Sequence, residues 1–348
     1  MKKLPVVFLA SIASLIAKPT VEVIGEFSQR PGNPAVGVDG TIYFSMHPFD
    51  QPEYKVMRLE DGKGIPFPTA EISKSFAAVI GIQTDAEGRV WILDMGSADQ
   101  SPQLMGWDTR TNQPHRVITL PKEVIAANSF IQDLAIDEKR GKAYLADMSR
   151  SGMIDTSVPA IIVVDLETGH TRRVLQSHQS FQPETDRTML TEGMPATFTD
   201  ESGTSHPLQL GLNPIAIDAQ NEWVYFSTVH PGTLYRIPAA VLANSSKSET
   251  ELAQAIEIFA EKPTSDGIAA DGLGNVYITN LEENAINVAD TNGTRIWIQD
   301  ERFIWPDGID VAPDGSIIAT INQLNRAAPF NGGVDGAEPP FLIVHITK

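Results

Sequence analysis

The chain has 348 residues, 42% of them hydrophobic and 20% charged, which is enough apolar matter for a sizeable core and excludes a disordered chain. Its 44 acidic against 26 basic side chains give a net charge of -18, so a nucleic-acid backbone or an anionic membrane surface would repel it. With no cysteine, disulfides, thiol nucleophiles and thiolate zinc sites are all excluded, and the redox compartment stays open.

Lys2 and Lys3, the apolar run from Leu4 to Ile16, and then Lys18 and Pro19 have the layout of a short secretory leader. On this reading residues 1–18 are a leader and the protein is secreted or periplasmic; the alternative is an ordered N-terminal arm on a cytoplasmic protein. No later run reaches the roughly 20 apolar residues that a membrane span needs.

From there one phrase returns six times, and internal repetition decides the fold. The copies begin at Asn33, Ile80, Gln132, Asn213, Asp266 and Asp307. Each reads as a strand, a tight turn built on Asp-Gly or a slightly longer glycine-containing loop, and a second strand of β-branched and aromatic residues. Further strand pairs lie between the phrases, such as Ala160 to Leu166 with Thr171 to Leu175, and Thr233 to Ile237 with Ala255 to Phe259. Four strands per unit and six units predict an all-β, six-bladed propeller over residues 19–348 as a single domain. After the sixth phrase only Phe341 to Ile346 remains as a strand, so Thr20 to Phe27 is expected to complete blade six and close the ring.

Antiparallel alternation returns the ends of second and fourth strands to the face where the innermost strands begin. The long stretch 176–212, with His178, Glu184, Asp186 and His206, is therefore expected to lie over that face as a lid, beside the loops Met95 to Gly106 and Gln323 to Pro340. The residues that open the innermost strands converge on the central channel: Asn33, Ile80, Gln132 with Asp133, Asn213, Asp266 and Asp307. Carboxylates mixed with amide oxygens suit a hard divalent cation, Ca²⁺ before Mg²⁺. The alternative use is capping of strand ends and bonding of channel water. Asp39, Asp271 and Asp314 fall in the turns at the far end and read as structural. Asp94, Asp147, Asn280 and Asn322 end second strands near the mouth, where they either orient a ligand or satisfy backbone between blades. His47, His178, His206 and His230 are candidates for proton transfer, although no Ser-His-Asp or paired-histidine spacing singles one out.

Particular phrases resemble the insect Yellow and major royal jelly protein family and its bacterial relatives: Arg30-Pro-Gly-Asn-Pro-Ala-Val, Gly81-Ile-Gln-Thr-Asp with Arg89-Val-Trp-Ile-Leu-Asp-Met-Gly, and Val224-Tyr-Phe-Ser-Thr-Val-His-Pro-Gly-Thr-Leu-Tyr-Arg-Ile-Pro. The lack of cysteine makes the chain look like a bacterial-type member. A more distant similarity, to the gluconolactonase and senescence-marker propellers, implies a metal at the channel mouth held by a Glu of blade one, Asn of blades three and four and Asp of blade five. The present chain offers Asn33, Gln132, Asn213 and Asp266 there, so Asn213 and Asp266 match and the Glu is missing.

These readings imply a metal-dependent hydrolase of a small lactone or related ester, with Asn213 and Asp266 holding the ion and Asp133 or Asp307 as base. Asn33, Gln132, Asp94, Asp147 and Asn280 would then contact the small-molecule substrate. Two alternatives stand beside it: a non-catalytic binder of an amine or aromatic ligand, and, implied only by the family resemblance, a dopachrome-type isomerase. Phe181, Phe198 and Trp305 above the channel would favour an aromatic ligand.

Overall fold

The repeated phrase folds as expected because its turn supplies its own hydrogen bonds. In the computed structural model, which describes residues 18–347 apart from 154, 155 and 201, Asp39 Oδ1 accepts the Thr41 amide at 3.0 Å. Asp271 Oδ1 accepts the amides of Leu273 and Asn275, and Asp314 Oδ1 accepts that of Ser316. These three aspartates are turn builders, as read from the sequence. The apolar run Leu4 to Ile16, expected as a leader, lies outside the described residues.

Six four-stranded antiparallel sheets result. Their innermost strands are Pro31–Val36, Val79–Thr84, Ile131–Asp137, Leu212–Ile217, Ile268–Ala270 and Pro306–Val311. Each packs against the next, and the sixth returns to the first, so the blades form a closed ring. Blade six is completed by Thr20–Phe27 pairing antiparallel with Phe341–Thr347, which joins the two ends of the domain. The core sits between blades. Phe44 with Ile318 and Ile343, Ile82 with Phe67 and Phe76, and Phe226 with Tyr144 and Phe181 are examples of apolar side chains that each sheet buries against its neighbour.

Two details differ from the sequence reading. Blade four's outer strand is Glu257–Lys262 and begins later than Ala255, because a short helix, Glu249–Gln254, precedes it; Ser248 and Glu251 form a reciprocal capping box that fixes that helix. The loop after Asp94 ends at Gln103, where the third strand of blade two, Gln103–Asp108, already begins.

The innermost strands share an irregularity that makes the site. In blades one, two, three, four and six their register shifts near the N-terminal end, between Pro31 and Pro34, Val79 and Ile82, Ile131 and Asp133, Leu212 and Ile215, and Pro306 and Ile309. A bulge leaves unpaired amides and re-aims side chains. Hydroxyls on the adjoining strands take up those amides: Ser45 Oγ accepts Asn33 N, Thr279 Oγ1 accepts Asp266 N and Gly267 N, and Thr320 Oγ1 accepts Gly308 N, each at 3.0 Å.

Candidate functional site

The residues that open the innermost strands lie together at one end of the channel and bond to one another across blades. Gln132 Nε2 donates to Asn213 Oδ1 and, at 3.0 Å, to the Asn213 carbonyl. Asn213 Nδ2 donates to Asp266 Oδ1 at 2.5 Å, and Trp305 Nε1 donates to Asp266 Oδ2 at 2.7 Å. Asp307 hydrogen-bonds to Asp266, and Asn322 Nδ2 donates to Asp307 Oδ2 and to the Pro31 carbonyl. On the other side of the ring Asn33 Nδ2 donates to Asp133 Oδ1 at 3.0 Å, while Asp133 Oδ2 accepts the Ile215 amide at 3.0 Å. Five blades therefore contribute polar side chains to this ring, in two hydrogen-bonded groups, Asn33 with Asp133, and Gln132 with Asn213, Asp266 and Asp307.

Burial sets the proton affinities. Asp133 is pushed up to about 7 by burial, against the lowering effect of the Ile215 and Leu134 amides and Asn33. Burial also raises Asp266, opposed by donors from Trp305, Asp307 and Asn213 and by the charge of Lys262. Asp307 is raised well above the usual carboxylate range by burial and by the neighbouring Asp266 charge, with Asp133 adding to it. Asp266 gains donors where Asp307 gains a neighbouring anion. The two buried carboxyls titrate as a pair, each raised above the usual carboxylate range. Lys262 lies nearby, its Nζ donating to the carbonyls of Val229, His230 and Pro263 at 3.3, 3.0 and 2.8 Å; burial lowers it to about 7.

The other candidates from the sequence lie outside this ring. Asp94 accepts the amides of Ala77, Ala78 and Gly96 and the Gln100 side chain. Asp147 accepts Ser129 Oγ and the amides of Phe130 and Ser149, and pairs with Arg173 at 2.6 Å. Asn280 Oδ1 accepts the amides of Glu282 and Glu283. The four histidines also bond locally. His47 is buried beside Arg30 and held down to about 3 by burial and then that charge; His178 caps the turn Gln179–Phe181, His206 bonds Asp200, and His230 contacts the Pro231 carbonyl. Phe181 is packed between blades three and four, away from the mouth.

The segment 176–212, expected as a lid, packs against residues that follow second strands of blades three to five and against blade six. It carries the short hairpins Leu190–Thr191 with Met194–Pro195 and Thr197–Thr199 with Ser205–Pro207. Its Met189, Ala196, Leu208 and Leu210 are buried with Met148, Val229 and Leu281, which directly follow second strands of blades three, four and five, and with Trp305 and Leu324 of blade six. The lid is tied to blade six by Arg326, whose Nε and Nη2 donate to Glu192 at 3.0 and 2.5 Å. Trp305, Lys262 and Arg326 are the residues that the repeat pattern did not bring into the site. Trp305 alone carried a signal, standing just before Asp307.

The donor set does not fit a resident divalent cation as it stands. Asn213 Oδ1 is taken by an amide N–H, and both Asp266 oxygens accept N–H donors. Among the described residues no group of three or more His, Asp or Glu is arranged to hold a metal ion.

Solved structures with the same fold include calcium-binding regucalcin from Agrobacterium tumefaciens, with 15% identity over 93% of each chain and a TM-score of 0.56. A luciferin-regenerating enzyme aligns over 95% of each chain at 11% identity and a TM-score of 0.54. A catalytically inactive virginiamycin B lyase from Staphylococcus aureus with quinupristin aligns over 95% of this chain and all of its own, 100%, at 15% identity and a TM-score of 0.53. At these identities the likeness is one of fold. No described helix is long and apolar enough to cross a membrane. No curated protein matches the chain. The family model described as major royal jelly protein matches residues 77–325, from the start of blade two into blade six and well over half of the 348 residues. The chain belongs to the major royal jelly protein family.

Proposed function

We propose that the channel mouth hydrolyses a small lactone or related ester by general acid–base catalysis, with Asp133 as base and Asp307 as acid. The observation that carries this reading is the meeting of three carboxylates of raised proton affinity, two of them, Asp266 and Asp307, hydrogen-bonded to each other. A base near 7 is half ionised at neutral pH, where general-base catalysis works best, and a carboxyl kept protonated beside a charged partner is a ready acid. Water adds its oxygen to the carbonyl carbon while Asp133 takes its proton. Asp307 gives its proton to the departing alcohol oxygen as the carbon–oxygen bond of the ester breaks, leaving a carboxylic acid and an alcohol. Proton return from Asp133 to Asp307 through water restores the site. Asn213, Trp305 and Lys262 hold the charge on Asp266 that keeps Asp307 protonated.

Participation of a divalent cation, Ca²⁺ before Mg²⁺, at Asn213 and Asp266 is the second reading. The description of regucalcin as calcium-binding supports it. It requires Asp307 to lose its proton and the Asn213 amide to turn its oxygen toward the ion, so the donor set weighs against it.

The test is turnover of a panel of aliphatic and aromatic lactones and esters by the full chain and by Asp133→Asn and Asp307→Asn. Hydrolysis that falls by about 10²-fold or more in both variants supports the reading, a loss within the range of general acid–base contributions. Ligand binding without turnover across the panel would make the protein a binder.

A further inference from the structure

Asp266 lies behind a wall, and that wall has another side. Trp305 donates its indole N–H to Asp266, while its ring lies nearly parallel to that of Phe330, 9° between planes and 6.1 Å between centroids. Trp305 and Phe330 line a cavity of about 410 Å³ between the lid and blade six, together with Met194, Leu208 and the Arg326–Glu192 pair. That volume lies within the range of about 300–1,000 Å³ typical of small-molecule sites. Trp305 also holds a left-handed backbone, φ 52°, although it is a bulky aromatic residue. Such strain in a non-glycine residue persists where the surroundings over-determine it. Here the indole hydrogen bond and the packing against Phe330 supply that constraint.

We infer that this cavity is a binding subsite for an uncharged aromatic group of the substrate, with Trp305 the shared wall between subsite and carboxylates. The reasoning rests on the hydrolytic reading for the ester or lactone attached to that group. Phe330 offers an aromatic surface on the lining, backed by the buried Trp305 ring stacked against it. The charged residues of the lining, Glu192 and Arg326, neutralise each other, so an ion of either sign would have to break a bidentate pair to find a partner. The overall acidity of the chain adds repulsion against anions. An uncharged aromatic ring meets neither obstacle.

The experiment uses the full chain, the aromatic lactone dihydrocoumarin as substrate and its hydrolysis-resistant lactam, dihydrocarbostyril, as binding probe. Met194 is 68% exposed, so Met194→Trp fills the cavity from the surface without disturbing the core. Phe330→Ala removes one stacking face. The expected result is calorimetric binding of the lactam by the wild type and affinity weakened about 10-fold or more in each variant. No binding by the wild type, or equal binding by all three proteins, would overturn the subsite. Lactam binding that the variants lose, without dihydrocoumarin turnover, keeps the subsite and removes the hydrolytic reading. Turnover with a KM that neither variant moves does the reverse.

Discussion

Asn33 of blade one donates to Asp133 of blade three at 3.0 Å, reaching past blade two, where the corresponding bulge holds Gly81. A Cβ at Gly81 would stand 2.8 Å from the Gln132 carbonyl and 3.1 Å from the Asp133 Cα. Those neighbours are backbone and cannot swing aside, so Gly81→Ala is expected to push blade three outward and destabilise the protein by about 1–3 kcal/mol. Denaturant unfolding checks the loss, and lowered turnover at unchanged substrate concentration checks the displacement of Asp133.

Asp147 gives a contrasting expectation. Its carboxylate is fully buried and pairs with Arg173, which is itself only 9% exposed, so its removal strands a buried guanidinium. Asp147→Ala is expected to cost about 3–5 kcal/mol. If the urea midpoint falls while ligand affinity of the remaining folded protein is retained, Asp147 is a fold residue; a selective loss of affinity would instead return it to the site.

The pH dependence has a defined sign at Asp310. This carboxyl accepts the amides of Val36 and Val311 at 2.8 Å and is pushed up to about 7 by burial. An unfolded aspartate titrates near 3.9, so between roughly pH 4 and 7 the folded state keeps a proton that the unfolded state has released. Stability from this group falls as pH rises through that window. Asp310→Asn removes the titration, and its stability relative to wild type should improve from pH 5 to pH 8. Buried His47, held down to about 3, contributes the opposite slope in both proteins and cancels in the difference. Urea midpoints at the two pH values decide it, and a difference that stays constant contradicts the assignment.

Calcium should produce little heat when titrated into chelator-treated protein at neutral pH, because a cation must displace the Asp307 proton and three N–H donors from the Asp266 and Asn213 oxygens. Binding that disappears in Asp266→Ala would show that the ring rearranges around an ion, and would favour the cation reading over the acid–base one.

Much of this molecule was legible before its structure. The Asp-Gly turns and the spacing of the phrases predicted the blades, and the strand-like ends Thr20 to Phe27 and Phe341 to Ile346 predicted the closure, because strand periodicity and turn chemistry are local properties. The mouth residues Asn33, Gln132, Asp133, Asn213, Asp266 and Asp307 were found for the same reason: equivalent positions in a repeat meet at the axis. What escaped is what the repeat does not encode. Whether Asn213 presents its oxygen to an ion or its N–H₂ to Asp266 depends on a partner in another blade. The raised proton affinity of Asp266 and Asp307 depends on burial that no spacing reveals. Lys262 looks like an ordinary strand lysine until its three backbone carbonyl partners are seen, and the Arg326–Glu192 tie joins segments far apart in sequence. Asp94 and Asn280 end second strands as the mouth-facing residues were expected to, yet their side chains fold back onto their own loops.

The measurement to make first is the pH–rate profile for hydrolysis of dihydrocoumarin in the presence of chelator, for wild type, Asp133→Asn and Asp307→Asn. A bell-shaped profile whose acidic limb lies near 7, preserved in chelator and collapsed in both variants, is the expected result. Turnover that requires added calcium, or that survives both substitutions, would contradict acid–base catalysis by these carboxylates.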